Sequence, residues 1–177
     1  SEAASAAELA AQCDIIMLCL TTSTVVEKVV YGEDGLLAGI KEGAVVIDFG
    51  TSIPASTRKI GADLAAKGAG MVDAALSRTP THAIDGLLNI MAAGDQETFD
   101  KVKPILDMQG ENIFYMGALG AGHTTKLINN FMGMTTVCAM SQAFAVAASA
   151  GVDGQLLFDI MSTGPSSSPF MNFCKKY

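Results

Sequence analysis

The sequence has no tryptophan, only two histidines, and few charges: Asp, Glu, Lys and Arg make up 16% of its 177 residues. Each shortage excludes something. Imidazole is confined to His82 and His123, and the four cysteines (Cys13, Cys19, Cys138, Cys174) form no CxxC pair. A metal site is therefore not expected. Cysteines scattered through apolar runs suit buried free thiols in a reducing, cytoplasmic compartment. Lys and Arg number 11 against 18 Asp and Glu, a net charge of -7, which leaves no basic face for nucleic acid. No G-x-S-x-G hydrolase turn, Walker loop or G-x-G-x-x-G dinucleotide turn occurs. The opening SEAASAAELAAQCD lacks the basic start of a signal peptide.

Charge is missing altogether between Leu127 and Val152. A membrane span needs about 20 mostly apolar residues, and this run is long enough. It also carries Asn129, Asn130, Thr135, Thr136, Ser141 and Gln142 and has no aromatic belt. The expectation is a long helix covered on most sides by protein, with no membrane partner.

What is present is apolar material, 50% of the chain, in an alternating order. A helix near 3–12 carries Ser5 and Glu8 at capping-box spacing. The continuous apolar runs IIMLCL (15–20) and AVVIDFG (44–50) suit strands covered on both faces. MVDAAL (71–76), LLNIMAAG (87–94) and NIFYMG (112–117) read as further strands. Helical segments fall between them, one of which Pro104 should bend or shorten. Beyond Gly117 everything reads as helix: about 122–151, then DGQLLFDIM, then a Ser-rich turn. The pattern predicts an α/β fold, an incomplete Rossmann-type parallel sheet over residues 1–117, followed by an incomplete helical domain over 118–177. The chain is expected to be cut at both ends.

The richest stretch is GALGAGHTTKLINN (117–130). Three glycines, which let a backbone pass close to a ligand, run into a helix. Lys126, Asn129 and Asn130 then share one helix face at i, i+3 and i+4. An ammonium with neighbouring amides can give a proton to a developing alkoxide and hold the oxygen. A solvated lysine on an ordinary helix start would show the same spacing. Three other stretches lie at strand ends, where open α/β sheets bind ligands: Leu20-Thr21-Thr22, Asp48-Phe49-Gly50-Thr51-Ser52, and Ser77-Arg78-Thr79. The first two compete with simple helix capping, by Thr21 or Thr22 in the first case. In the third, an arginine between hydroxyls suits a carboxylate, phosphate or sulfonate, or is a surface arginine before Pro80. His82 and His123 have weaker claims, and a capping or exposed role is expected for His123.

Taken in order, these segments resemble the β-hydroxyacid dehydrogenase family, which includes 3-hydroxyisobutyrate dehydrogenases. GALGAGHTTKLINN is similar to that family's G-x-x-G-x-G-x-x-x-K-x-x-x-N signature. The resemblance implies that Lys126 is the catalytic acid/base and that Asn130, with Asn129 beside it, orients substrate. It places nucleotide contacts at Leu20, Thr21 and Thr51 and implies NAD or NADP as cofactor. The substrate would be a small hydroxyacid or semialdehyde with an anionic group, held by Ser77, Arg78 and Thr79, and the protein a homo-oligomer. Where many members carry D-x-P-V-S-G-G, this chain has Asp73-Ala74-Ala75-Leu76-Ser77-Arg78-Thr79. The Arg-Thr pair is similar to the sulfolactaldehyde-reducing branch, so a sulfonate substrate is the alternative within the family. The resemblance also implies a missing first βαβ unit of about 55–60 residues, typical of such a unit's size. An inert fragment or non-catalytic interaction module is the alternative outside the class.

Overall fold

The structure is a computed structural model and describes residues 2–175. The chain forms two compact units, Ser1–Leu127 and Ile128–Tyr177.

In the first unit, α1 (Ala6–Gln12) leads into β1 (Ile15–Leu18), α2 (Ser23–Tyr31) and α3 (Leu36–Gly39). Next come β2 (Val45–Asp48), α4 (Pro54–Ala65), β3 (Gly70–Ser77) and α5 (Pro80–Ile84), then β4 (Leu88–Ala93), α6 (Gln96–Asp107) and β5 (Gly110–Tyr115). The strands lie side by side in chain order. β1, β2 and β3 are parallel, β3 and β4 antiparallel, and β4 and β5 parallel again. The reversal has a local cause. A parallel crossover needs a dozen or more residues and usually a full helix. The link from Ser77 to Leu88 holds only the five-residue α5 and a turn at Gly86, so the chain can only double back.

Alternation along the strands fills two cores. Ile16, Leu18, Val46 and Met71 pack with Val26, Val30, Leu36, Ile60 and Leu64 from the helices on one face. Val45, Ile47, Val72 and Ala74 pack with Phe99, Val102 and Leu106 of α6 on the other. β2 is therefore buried along its whole length, which is why its sequence does not alternate. Fully burying a Val or Ile contributes about 1.5–3 kcal/mol each.

Local signals act as written. Ser5 accepts from the Glu8 amide at 3.1 Å, and the Glu8 carboxylate returns to the Ala4 amide at 2.7 Å, one residue outside the usual box. Thr22, not Thr21, caps α2 through the Val25 amide. Pro104 neither stops nor shortens α6, which runs on to Asp107, although its ring removes one backbone hydrogen bond of the helix.

α7 (Ala121–Ser149) starts in the first unit and runs on into the second, which also contains α8 (Gly154–Thr163) and α9 (Pro169–Cys174). Within the second unit, Ala147, Phe158 and Met171 are buried, while Ile128, Phe131, Met132, Met134 and Val146 are exposed. The expectation that this helix is covered on most sides is not met within the chain, because α8 and α9 are too short to wrap a 29-residue helix. By length and composition alone α7 could cross a membrane.

Candidate active site

The carboxyl end of β2 and the middle of β3 each carry a buried aspartate, Asp48 and Asp73, paired in register across the two strands. An isolated buried carboxylate is costly unless hydrogen-bonded, and both are. Asp48 accepts from the Gly50 amide at 2.9 Å and the Ser52 hydroxyl at 2.7 Å. Asp73 accepts from the Gly120 amide at 2.6 Å and the His123 amide at 2.7 Å. Burial holds the Asp73 carboxyl above its ordinary pKa, opposed by those two amide hydrogen bonds.

Asp73 thus closes the amino end of α7, where unpaired amides and the helix dipole favour negative charge. The glycines serve the same seat. A Cβ on Gly122 would stand 2.4 Å from the Met91 carbonyl oxygen and 2.8 Å from Asp73 Oδ2. Gly120 adopts φ +90, and a Cβ there would meet the Arg58 guanidinium at 2.8 Å. These two glycines were expected to admit a ligand; they admit the protein's own sheet and α4 instead.

His123 is fully buried, not a capping or exposed residue. Its Nδ1 lies 2.8 Å from Thr57 Oγ1 on α4. Its Nε2 lies 3.7 Å from Asp48 Oδ2 and is buried without a hydrogen-bond partner. Neither the role of His123 nor those of Asp73 and Thr57 was read from the sequence. The available signal was an aspartate in each of two apolar strands, VVID and MVDAA, with one histidine at the start of a helix.

Lys126 lies one turn beyond His123. Its side chain is about half-buried, and burial alone holds its ammonium below the ordinary lysine pKa, with no carboxylate contributing. Asn129 and Asn130 follow a turn later on the same helix and are exposed.

Leu20 and Thr21 leave the end of β1, and Thr51 leaves the end of the adjacent β2. Thr21 and Thr51 are exposed and Leu20 is half-buried. The two loops are joined, since Ser23 Oγ accepts from the Ile53 amide at 2.7 Å.

Arg78 is placed differently. It follows β3 with φ +83, a conformation that favours glycine, and it stands where the resembling family's loop begins its glycine pair. Its Nη1 donates to the Leu87 carbonyl at 2.6 Å and to the Glu111 carboxylate. The guanidinium is therefore held at the amino ends of β4 and β5, which, because these strands run against β1–β3, lie at the same end of the sheet as the carboxyl ends of β1 and β2. Ser77 pairs with Asn89 in β4, and the Thr79 hydroxyl is 2.7 Å from His82 Nδ1. Among the described residues no group of three or more His, Cys, Asp or Glu could hold a metal ion.

This fold and lysine helix define a class. Residues 1–117 match the family described as the NAD binding domain of 6-phosphogluconate dehydrogenase, and residues 120–176 match that described as the NAD-binding domain of NADP-dependent 3-hydroxyisobutyrate dehydrogenase. The chain belongs to the β-hydroxyacid dehydrogenase family, of the 3-hydroxyisobutyrate dehydrogenase-like kind. It is 34% identical over 91% of its length to an NAD-dependent L-serine dehydrogenase of Pseudomonas aeruginosa. It is 32% identical over 90% of its length to a 3-sulfolactaldehyde reductase of Escherichia coli. It spans 54% of the length of each of these relatives. The structure of a Mycobacterium tuberculosis 3-hydroxyisobutyrate dehydrogenase with L-serine superimposes with a TM-score of 0.84 at 28% identity, covering 94% of this chain and 56% of that one.

Proposed function

We propose that this chain serves an NAD(P)-dependent oxidoreductase that interconverts a short-chain β-hydroxyacid and its semialdehyde, with Lys126 as general acid/base. The observation that carries this is a half-buried lysine with its pKa lowered by burial alone, one turn from a helix start held by the Asp73 carboxylate of β3, in a chain of this family. A lowered pKa brings an ammonium closer to the working pH of proton transfer.

The loops at the β1 and β2 ends fit the cofactor's nicotinamide–ribose half. They offer the Thr21 and Thr51 hydroxyls beside the apolar Leu20, and no basic side chain that would call for pyrophosphate. The nicotinamide supplies or accepts the hydride. In reduction, Lys126 Nζ gives its proton to the carbonyl oxygen and regains one from water; in oxidation it takes the hydroxyl proton. Asn130, with Asn129, orients that oxygen. Ser77, Arg78 and Thr79 take the substrate's anionic group, for which Arg78 exchanges its Glu111 carboxylate for the substrate's. Activity in a cytoplasmic homo-oligomer is the expected setting.

A sulfonate substrate is the second reading. The Arg78-Thr79 pair and the likeness to a 3-sulfolactaldehyde reductase favour it. Steady-state kinetics with matched carboxylate and sulfonate aldehydes separate the two. A kcat/KM at least about tenfold higher for the sulfonate, worth about 1.4 kcal/mol, selects the second reading. Absence of nicotinamide-dependent turnover with either class contradicts both.

A further inference from the structure

Four side chains from four segments meet around the start of α7 and have no part in the chemistry above: Asp48 from β2, Asp73 from β3, Thr57 from α4 and His123 from α7 itself. All four are buried. Asp73 binds two amides of the helix start, and Asp48 binds the Gly50 amide and the Ser52 hydroxyl on either side of Thr51. His123 lies between the two carboxylates, with Nε2 3.7 Å from Asp48 and Nδ1 3.9 Å from Asp73.

Thr57 Oγ1 is 2.8 Å from His123 Nδ1 and 3.3 Å from the Ile53 carbonyl, so one hydroxyl of α4 stands between the ring and the backbone that follows the Asp48 loop. Lys126 follows His123 by three residues and so lies above it on the same helix face. Any shift or rotation of the helix start moves the lysine with it.

We propose that Asp73 and His123 are positioning residues: they tie the amino end of α7 to β3 and, through Thr57, to α4 beside the Asp48 loop, and so set where Lys126 stands relative to Thr51. The proposal rests on the functional reading of Lys126 given above. Neither residue touches substrate. Each acts by fixing the geometry in which the ammonium meets the reacting oxygen, where a displacement of about 1 Å can cost about 100-fold in rate.

The test is kinetic, in an active protein that carries this chain. His123→Leu removes both ring contacts, whereas His123→Gln keeps an amide that can hydrogen-bond the Thr57 hydroxyl. The expected result for His123→Leu is a kcat lowered about 10–100-fold with KM for the nicotinamide cofactor changed much less. His123→Gln recovers most of the loss, which a general loss of packing would not allow. In parallel, Asp73→Asn raises the hydrogen-exchange rates of the Gly120 and His123 amides. If His123→Leu does not fold, Thr57→Val carries the same test and lowers kcat severalfold with folding intact. A folded His123→Leu or Thr57→Val with unchanged kcat overturns the proposal, as does equal loss in His123→Leu and His123→Gln. Failure of the underlying reading has a different signature, because Lys126→Ala would then keep its kcat. Lys126→Ala inactive beside His123→Leu fully active refutes the positioning role alone.

Discussion

Asp73 Oδ2 lies 2.7 Å from the backbone nitrogen of His123, so a strand carboxylate closes the first turn of the helix that carries the lysine. The other oxygen of the same carboxylate holds the Gly120 amide. One side chain therefore fixes two successive points of the loop-to-helix transition.

Removing that carboxylate has a stability consequence. Asp73→Ala leaves two buried amides without acceptors, and hydrogen bonds to charged groups contribute about 1.5–3 kcal/mol each. Urea unfolding followed by circular dichroism should show a loss of about 3 kcal/mol or more. A loss under about 1 kcal/mol would mean that water or other backbone groups satisfy those amides as well.

Gly122→Ala tests the seat itself. The added methyl would collide with the Met91 carbonyl and the Asp73 carboxylate, both part of β-sheet strands that cannot swing aside. The expected cost is about 1–3 kcal/mol from overpacking, with the thermal midpoint lowered accordingly. Gly117→Ala at the loop start, where no atom lies within 4 Å of the added carbon, should cost only the strain of its positive φ, about 1–2 kcal/mol. Equal stability of Gly122→Ala and the parent would show that α7 can lift off the sheet freely.

Arg78 combines strain with an ion pair. Its φ of +83 disfavours a side chain, while its contacts with Glu111 and the Leu87 carbonyl offset that cost. Arg78→Gly should therefore change stability by less than about 1 kcal/mol, measured by chemical denaturation. In the active protein, Arg78→Lys should raise KM more than it lowers kcat, since the planar fork is lost while the charge stays. Glu111→Gln, which removes the competing carboxylate, should lower KM for an anionic substrate. Unchanged KM in both variants would leave Arg78 a structural residue of the β3–β5 corner.

Burial places the Lys126 pKa below the ordinary lysine value, and the sign of its effect on rate follows from which form acts. Reduction needs the ammonium, so its rate falls as pH rises through that lowered pKa, sooner than for a free lysine. Oxidation needs the free amine, so its rate rises through the same pKa. Stability should also rise with pH above the folded pKa, because there the unfolded chain holds more protons than the folded one. A pH–rate profile that is flat in both directions up to the ordinary lysine range near 10.4 would remove Lys126 from proton transfer.

Much of the fold was legible because each signal was local. The apolar runs IIML and VVID, the Thr22 cap and the uncharged run after Leu127 each act within a few residues. The antiparallel turn at β4 was not seen, since strand direction depends on the whole span between Ser77 and Leu88. Lys126 and its amide neighbours were visible through helical spacing. His123 was not, because its burial arises from Thr57, Asp48 and Asp73, which are remote in sequence. Gly120 and Gly122 were read as openings for a ligand, and only the distances to Arg58 on α4 and to Met91 and Asp73 in the sheet show that the protein itself fills the space beside them.

The most direct test is kcat for Lys126→Ala beside the parent, in the active protein, with circular dichroism and cofactor titration confirming that the variant folds and binds nicotinamide. A positioned acid/base contributes about 10²–10⁴-fold, so kcat should fall at least about 100-fold with cofactor affinity retained. A kcat within about threefold of the parent would contradict the account.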